Sequence, residues 1–213
     1  FTANVTIDYE FLLKNGFMGL RDKVNKYDNG SDFYKSINVC IDACLDLANR
    51  YLKEAEKLNK TDLVCAIKDG VFYGAKDYYQ ALVIIKCITY CLRTGKVVHL
   101  TLGRFDQYMY PYYKKDMEAG KITREEAQEL IDCIWIKLND LNKIRDAASA
   151  EGFAGYSLFQ NLIVGGQDAE GNDVTNDLSF MCIEASHHVM LPAPSLSVRV
   201  WNKTPDELLI KAA

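Results

Sequence analysis

The sequence lacks any run of lysines and arginines and any long apolar segment. Its 25 basic and 29 acidic residues give a net charge of −4, so no basic stripe is available to neutralise nucleic-acid phosphates. No segment approaches the roughly 18 consecutive apolar residues of a membrane span, and the first residues show no signal-peptide pattern. We therefore expect a cytoplasmic protein that binds neither nucleic acid nor membrane.

The sequence also lacks a recognisable disulfide framework, metal site or nucleotide loop. Its seven cysteines lie in apolar helical patterns, and the pairs Cys40/Cys44 and Cys87/Cys91 have no histidine or further cysteine at ligand spacing. Neither Gly-x-Gly-x-x-Gly nor Gly-Lys-Ser/Thr occurs. We expect reduced cysteines, no bound metal and no nucleotide.

What the sequence does contain is a long helical first part. Apolar residues recur every three or four positions across 31–58, with charges on the opposite face, which predicts an amphipathic helix. Shorter patterns of the same kind cover residues 8–27, 61–67 and 77–92. Gly16 and Gly19 interrupt the first of these and divide it into two helical pieces. Residues 1–95 are therefore predicted to form a mainly helical domain.

The second part alternates strands with helices. Strands are predicted at residues 97–102, 158–164 and 195–201, with helices between them. The capping-box residues Thr123 and Glu126 define the start of one helix, and a second runs from about Asn176 to Val189. Residues 147–155 are small and contain glycine, which indicates a loop. Because parallel strands require such crossovers, residues 96–213 are predicted to form an α/β layer or barrel.

The stretch from Gly103 to Tyr113 is unusual in composition. It contains five aromatic residues with one arginine and one aspartate, and it follows the first predicted strand directly. Parallel α/β folds build their sites from loops at this end of a strand. Arg104 and Asp106 are therefore candidates for one of two roles: a hydrogen-bonded brace that fixes the strand-end loop, or direct contact with a substrate.

The other polar motifs form no complete catalytic constellation. Gly165-Gly166 follows a strand but lacks the residues of a phosphate loop, and the acidic turn at 168–173 lacks the spacing of a calcium loop. His187 and His188 come late on a predicted helix, where a cation complements the helix dipole. From the residues alone we predict no catalytic residue and no metal ligand.

The two ends of the sequence suggest a fragment. The chain starts without methionine, and the helix signalled by Thr204 and Pro205 stops about two turns later without a C-cap. We expect a longer protein.

The run Gly103-Arg104-Phe105-Asp106-Gln107-Tyr108-Met109-Tyr110-Pro111-Tyr112-Tyr113 resembles the glycyl radical enzymes of the pyruvate formate-lyase family, especially their dehydratase and decarboxylase branches. The resemblance continues through Asn161 to Gly166 and Pro194 to Arg199 and covers nearly the whole chain. It implies a ten-stranded α/β barrel wrapped by helices, of which this chain would supply part of the first half.

The resemblance also implies a radical lyase acting on a small molecule, by elimination of water or amine or by C–C bond cleavage. Arylacetate decarboxylation and formate acetyltransferase-like chemistry are alternatives, as is a non-catalytic scaffold or partner-binding remnant. An activating enzyme with S-adenosylmethionine and an iron–sulfur cluster would install the glycyl radical, and the full-length protein would be a homodimer. The thiyl cysteine and the radical glycine would lie beyond Ala213, so this chain alone is expected to be inactive.

Four positions correspond to substrate-pocket residues of that family: Asn4, Val98, Thr101 and Phe159. Many dehydratases carry histidine, aspartate or serine at the positions of Val98 and Thr101, and histidine at that of Asn4. The substitutions indicate a more apolar pocket and weak turnover of polyols. The alternative is that these residues simply pack the barrel wall.

Overall fold

The computed structural model describes residues 4–94, 99–140, 146–152 and 160–213. Two compact units divide the chain: Asp8–Leu92 forms one, and Phe1–Ile7 together with Arg93–Ala213 forms the other. Among the described helices none is long and apolar enough to cross a lipid bilayer.

The first unit is helical. Its elements are α1 (Tyr9–Tyr27), α2 (Asp32–Lys57), α3 (Thr61–Cys65), a π-helical segment (Ala66–Val71) and α4 (Tyr78–Thr94). The predicted break in α1 is confirmed at Gly16, whose backbone is non-helical at φ 62° and ψ −171°. At that residue the chain passes directly against the backbone of Phe72, where only a residue without Cβ fits.

The second unit contains a parallel sheet and five helices among its described residues. Its elements are β1 (Asn4–Thr6), β2 (His99–Arg104), α5 (Phe105–Glu118), α6 (Arg124–Asn139), α7 (Ala147–Gly152), β3 (Gln160–Gly165), α8 (Asp177–Val189), β4 (Ser195–Arg199) and α9 (Asp206–Ala212). The strand order is β1-β2-β3-β4, and every neighbouring pair is parallel. The predicted parallel pairing and the capping box of Thr123 and Glu126 are thus confirmed.

Three sequence predictions in this unit were wrong. The stretch after Gly103 is a helix, α5, because Phe105, Met109 and Tyr113 recur every four residues and form a fully buried stripe. Residues in the predicted loop at 147–155 form the short helix α7. The Thr204 hydroxyl accepts a hydrogen bond from the backbone N–H of Trp201 instead of capping α9.

The sheet has two different faces. Leu100, Leu102, Leu162 and Val164 are completely buried on the face covered by helices. The intervening residues of β3, Asn161 and Ile163, are only half-buried on the other face, which we call the open face. Because side chains alternate along a strand, residues in register with these two lie on the same face.

Candidate functional site at the carboxyl edge of the sheet

A β-bulge in β2 sets the position of the Gly103-Arg104 motif. Thr101 is in register with Asn161, but the next pairs are Gly103 with Leu162 and Arg104 with Ile163, so β2 holds one extra residue. Gly103 adopts φ 64°, a conformation that favours glycine. The extra residue shifts the alternation of side chains along β2. Arg104, at the end of the strand, is therefore in register with the open-face residue Ile163.

Arg104 binds the chain that follows β3. Its Nη2 donates to the Gly165 carbonyl at 3.1 Å, and its Nη1 donates to the Gln167 carbonyl at 3.2 Å. The guanidinium group therefore joins the end of β2 to the loop after β3. Gln107, in the first turn of α5, extends this junction by donating from Nε2 to the Val174 carbonyl at 3.0 Å.

Asp106 holds the same loop from the helix side. Its Oδ2 accepts the Gly165 N–H at 2.7 Å and the Ser179 hydroxyl at 2.6 Å, and its backbone carbonyl accepts Asn176 Nδ2 at 3.2 Å. The residue is fully buried. Both polar backbone groups of Gly165 are thus bound by side chains of the Arg104–Asp106 segment.

The environment of Asp106 disfavours its charge. Burial raises the pKa of this carboxyl above its ordinary value, and the hydrogen bonds from Ser179 and Gly165 and the nearby charge of Arg104 offset only part of that rise. Its second oxygen, Oδ1, is buried without a hydrogen-bond partner among the described residues. The proton is therefore retained to higher pH in the folded state than in the unfolded chain.

This difference predicts a pH dependence of stability. Because the folded-state pKa of Asp106 is raised, its contribution to stability is full below the unfolded pKa and is lost as the pH rises through the folded pKa. We expect the free energy of unfolding of the wild type, relative to Asp106→Asn, to fall as the pH increases above about 4. Urea titrations of both proteins between pH 3.5 and 7 measure it, and a constant or rising difference would contradict the assignment.

The loop after β3 depends on two glycines with positive φ, Gly165 at 70° and Gly166 at 90°. A Cβ added to Gly166 would lie 3.0 Å from the Cβ of Arg199 and 3.2 Å from its Nε. The side chain of Arg199 therefore lies along the bare backbone of Gly166. Beyond the loop, Asp168 accepts the backbone N–H groups of Glu170 and Asn172 and closes a surface turn.

The structure describes two of the four predicted pocket residues, Thr101 and Asn4. Thr101 is half-buried on β2, in register with Thr6 and Asn161. Asn4 begins β1, in register with His99. Val98 and Phe159 lie outside the described residues.

Several contact residues of this edge were missed by the sequence analysis. Ser179 and Asn176 lie more than 60 residues from Asp106 and contact it only in the fold. Asn161 gave a usable signal, since it and Gln160 are polar residues at the start of a strand that is otherwise apolar.

The seven cysteines lie on helices and on none of the strand-end loops. They are found on α2 (Cys40, Cys44), α3 (Cys65), α4 (Cys87, Cys91), α6 (Cys133) and α8 (Cys182). Burial raises the pKa of the Cys182 thiol well above its ordinary value. A hydrogen bond with Cys91, together with burial, raises the pKa of the Cys44 thiol. High thiol pKa values disfavour a reactive thiolate at these two positions.

Comparison with known proteins gives consistent matches over the whole chain. Residues 2–213 match the pyruvate formate lyase-like family. A solved structure that describes 1,2-propanediol dehydration in Roseburia inulinivorans is 47% identical over 99% of this chain, with a TM-score of 0.90. The glycerol-bound B12-independent glycerol dehydratase of Clostridium butyricum is 40% identical over 99% of this chain, with a TM-score of 0.87.

A third relative differs in chemistry. The 4-hydroxyphenylacetate decarboxylase glycyl radical subunit of Clostridioides difficile is 35% identical over 85% of this chain. The chain spans 29% of each of the two solved structures and 21% of the decarboxylase subunit.

Proposed function

Because the chain belongs to the pyruvate formate lyase-like family, we propose that it supplies part of a glycyl radical lyase that removes water from a small hydroxylated substrate. The observation that carries this proposal is the 47% and 40% identity, over 99% of the chain, to the solved structures that concern propanediol dehydration and a glycerol dehydratase. We further propose that the four parallel strands form part of a ten-stranded α/β barrel in the complete protein.

In such an enzyme, a glycyl radical supplies a thiyl radical that starts the reaction. No cysteine of this chain lies on a strand-end loop, so the reactive cysteine and the radical glycine would come from other segments of the complete protein. This chain would contribute the wall that binds the substrate. An activating enzyme with S-adenosylmethionine and an iron–sulfur cluster, and a second copy of the complete protein, are the proposed partners.

Arg104 and Asp106 are proposed to act as positioning residues. Their side chains bind the carbonyl and the N–H of Gly165, respectively, and Arg104 also binds the Gln167 carbonyl. These contacts use both Nη atoms of Arg104 and one carboxyl oxygen of Asp106 to order the strand-end loop. A brace of this kind keeps the carboxyl edge of the sheet in one conformation, as substrate positioning requires.

A three-carbon diol with one apolar end fits the composition of the pocket positions best. Thr101 can hydrogen bond to a hydroxyl group, whereas Val98 offers only apolar surface. Propane-1,2-diol has a methyl group for such a surface and glycerol does not. We therefore propose that propane-1,2-diol is dehydrated to propanal and water in preference to glycerol.

The second candidate function is C–C bond cleavage in an aromatic acid. The 35% identity to the 4-hydroxyphenylacetate decarboxylase subunit favours it, and so does the apolar Val98. A non-catalytic scaffold is the third alternative.

The test is an assay of the full-length protein encoded by the reading frame that contains these residues. After anaerobic activation, which electron paramagnetic resonance verifies, the protein is incubated separately with propane-1,2-diol, glycerol and 4-hydroxyphenylacetate. We expect propanal from propane-1,2-diol and at least tenfold lower kcat/KM for glycerol. p-Cresol as the main product would establish the second candidate instead, and a reading frame without a radical-glycine segment would favour the scaffold.

A further inference from the structure

The open face of the sheet carries a row of uncharged hydrogen-bonding residues. Thr6 is in register with Thr101, Thr101 with Asn161, and Asn161 with Ser195. The row therefore crosses all four strands at one level of the sheet. We call these four residues the polar row.

Register and burial place the polar row on the face opposite the helices. Residues directly paired in a parallel sheet project to the same side. The preceding residue of β2, Leu100, and the following residue of β3, Leu162, are completely buried on the helix-covered side. Thr101 and Asn161 are half-buried, and Thr6 and Ser195 at the two ends are exposed. The centre of the row is thus partly sheltered while both ends are open.

The chemistry of the polar row suits one class of ligand. Three hydroxyls and one carboxamide can each donate and accept hydrogen bonds, and none is charged. Adjacent strands lie about 4.8 Å apart, so a molecule of three carbons can reach two neighbouring members at once. A sulfonate or carboxylate would require a cation, which the row does not contain.

We propose that the polar row binds the hydroxyl groups of a small uncharged diol, with Thr101 and Asn161 at the centre of the contact. The proposal rests on the proposed function and deepens it by naming the residues that select for hydroxyl groups. It adds Thr6, Asn161 and Ser195 to Thr101, which is the one member of the row among the four positions that the family resemblance indicated. Specificity for hydroxyl groups would then come from the strand register that aligns these four side chains.

Binding to the full-length protein before activation tests the polar row without requiring radical chemistry. Isothermal titration calorimetry with propane-1,2-diol gives the Kd of the wild type and of Thr101→Val, Asn161→Leu and Ser195→Ala. Each of the two central substitutions keeps the branched shape of the side chain and removes its hydrogen-bonding groups, so we expect Kd to rise about fivefold. For Ser195→Ala at the exposed end we expect about a twofold rise.

Ser197→Ala is the matched control. Ser197 is exposed on the same face of β4 and in register with Ile163, outside the polar row; its substitution is expected to leave Kd unchanged. Wild-type affinity in both Asn161→Leu and Thr101→Val would overturn the proposal, as would an equal loss in Ser197→Ala. If either central variant unfolds at a lower temperature, Asn161→Ala and Thr101→Ala replace them. Unchanged Kd in both replacement variants overturns the proposal.

The outcome separates this proposal from the proposed function. If the wild-type protein binds and dehydrates the diol and the row variants bind it with unchanged Kd, the dehydratase function stands. The polar row then has no part in binding the diol. A wild-type protein that binds 4-hydroxyphenylacetate and no diol contradicts both.

Discussion

Replacing Asp106 with alanine is expected to lower the free energy of unfolding by about 3 kcal/mol. The substitution removes the acceptor of the Gly165 N–H and of the Ser179 hydroxyl in a fully buried site. Each buried donor left without a partner costs about 1–3 kcal/mol. Because the Gly165 loop would also move, we expect a decrease of about a hundredfold in kcat/KM of the activated full-length protein.

Asp106→Asn is the matched control, since it keeps the volume and one acceptor oxygen but cannot ionise. We expect it to cost about 1 kcal/mol, because one amide oxygen can still accept a hydrogen bond. Urea unfolding of the three full-length proteins at pH 7 gives the comparison. A loss below 1 kcal/mol for the alanine variant would show that the contacts to Gly165 and Ser179 contribute little.

Replacing Gly16 with alanine is expected to have the largest effect in the helical unit, above about 4 kcal/mol. A Cβ at this position would lie 2.3 Å from the carbonyl oxygen of Phe72 and 2.5 Å from the backbone nitrogen of Tyr73. Neither contact can be relieved by a side-chain rotation, so α1 or the chain at Phe72 and Tyr73 must move. Hydrogen exchange of these two segments in the full-length protein measures the loss.

Gly30→Ala is the control for a positive φ without a close contact. Gly30 has φ 78°, comparable to the 62° of Gly16, but no atom lies within 4 Å of its added Cβ. We expect a cost of about 1 kcal/mol, the usual penalty of a left-handed conformation. Similar losses of protection in the two variants would contradict the role of the close approach between Gly16 and Phe72.

The features that could be predicted from the sequence are local or periodic. The capping box at Thr123 and Glu126 needs only residues three apart, and the amphipathic pattern of α2 needs only its own turns. Parallel pairing followed from helices placed between strands. The short strand β1 was missed because three residues cannot display a period. Helix α5 was mistaken for a loop because Gly103 just before it and Pro111 within it obscured a buried stripe.

The candidate site was less predictable because it depends on register. A single bulge residue in β2 decides that Arg104 is paired with Ile163, and no pattern in the sequence locates that bulge. The contacts of Asp106 with Gly165 and Ser179 join segments about 60 and 70 residues apart. Arg104 and Asp106 could be named from their composition and place, whereas their partners required the fold.

The most direct test of the proposed substrate wall is a crystal structure of the full-length protein, before activation, with propane-1,2-diol bound. We expect the diol on the open face, with an oxygen atom within about 3.2 Å of the side chain of Thr101 or Asn161. A diol bound away from the sheet, or an open face filled by packed side chains, would contradict the account.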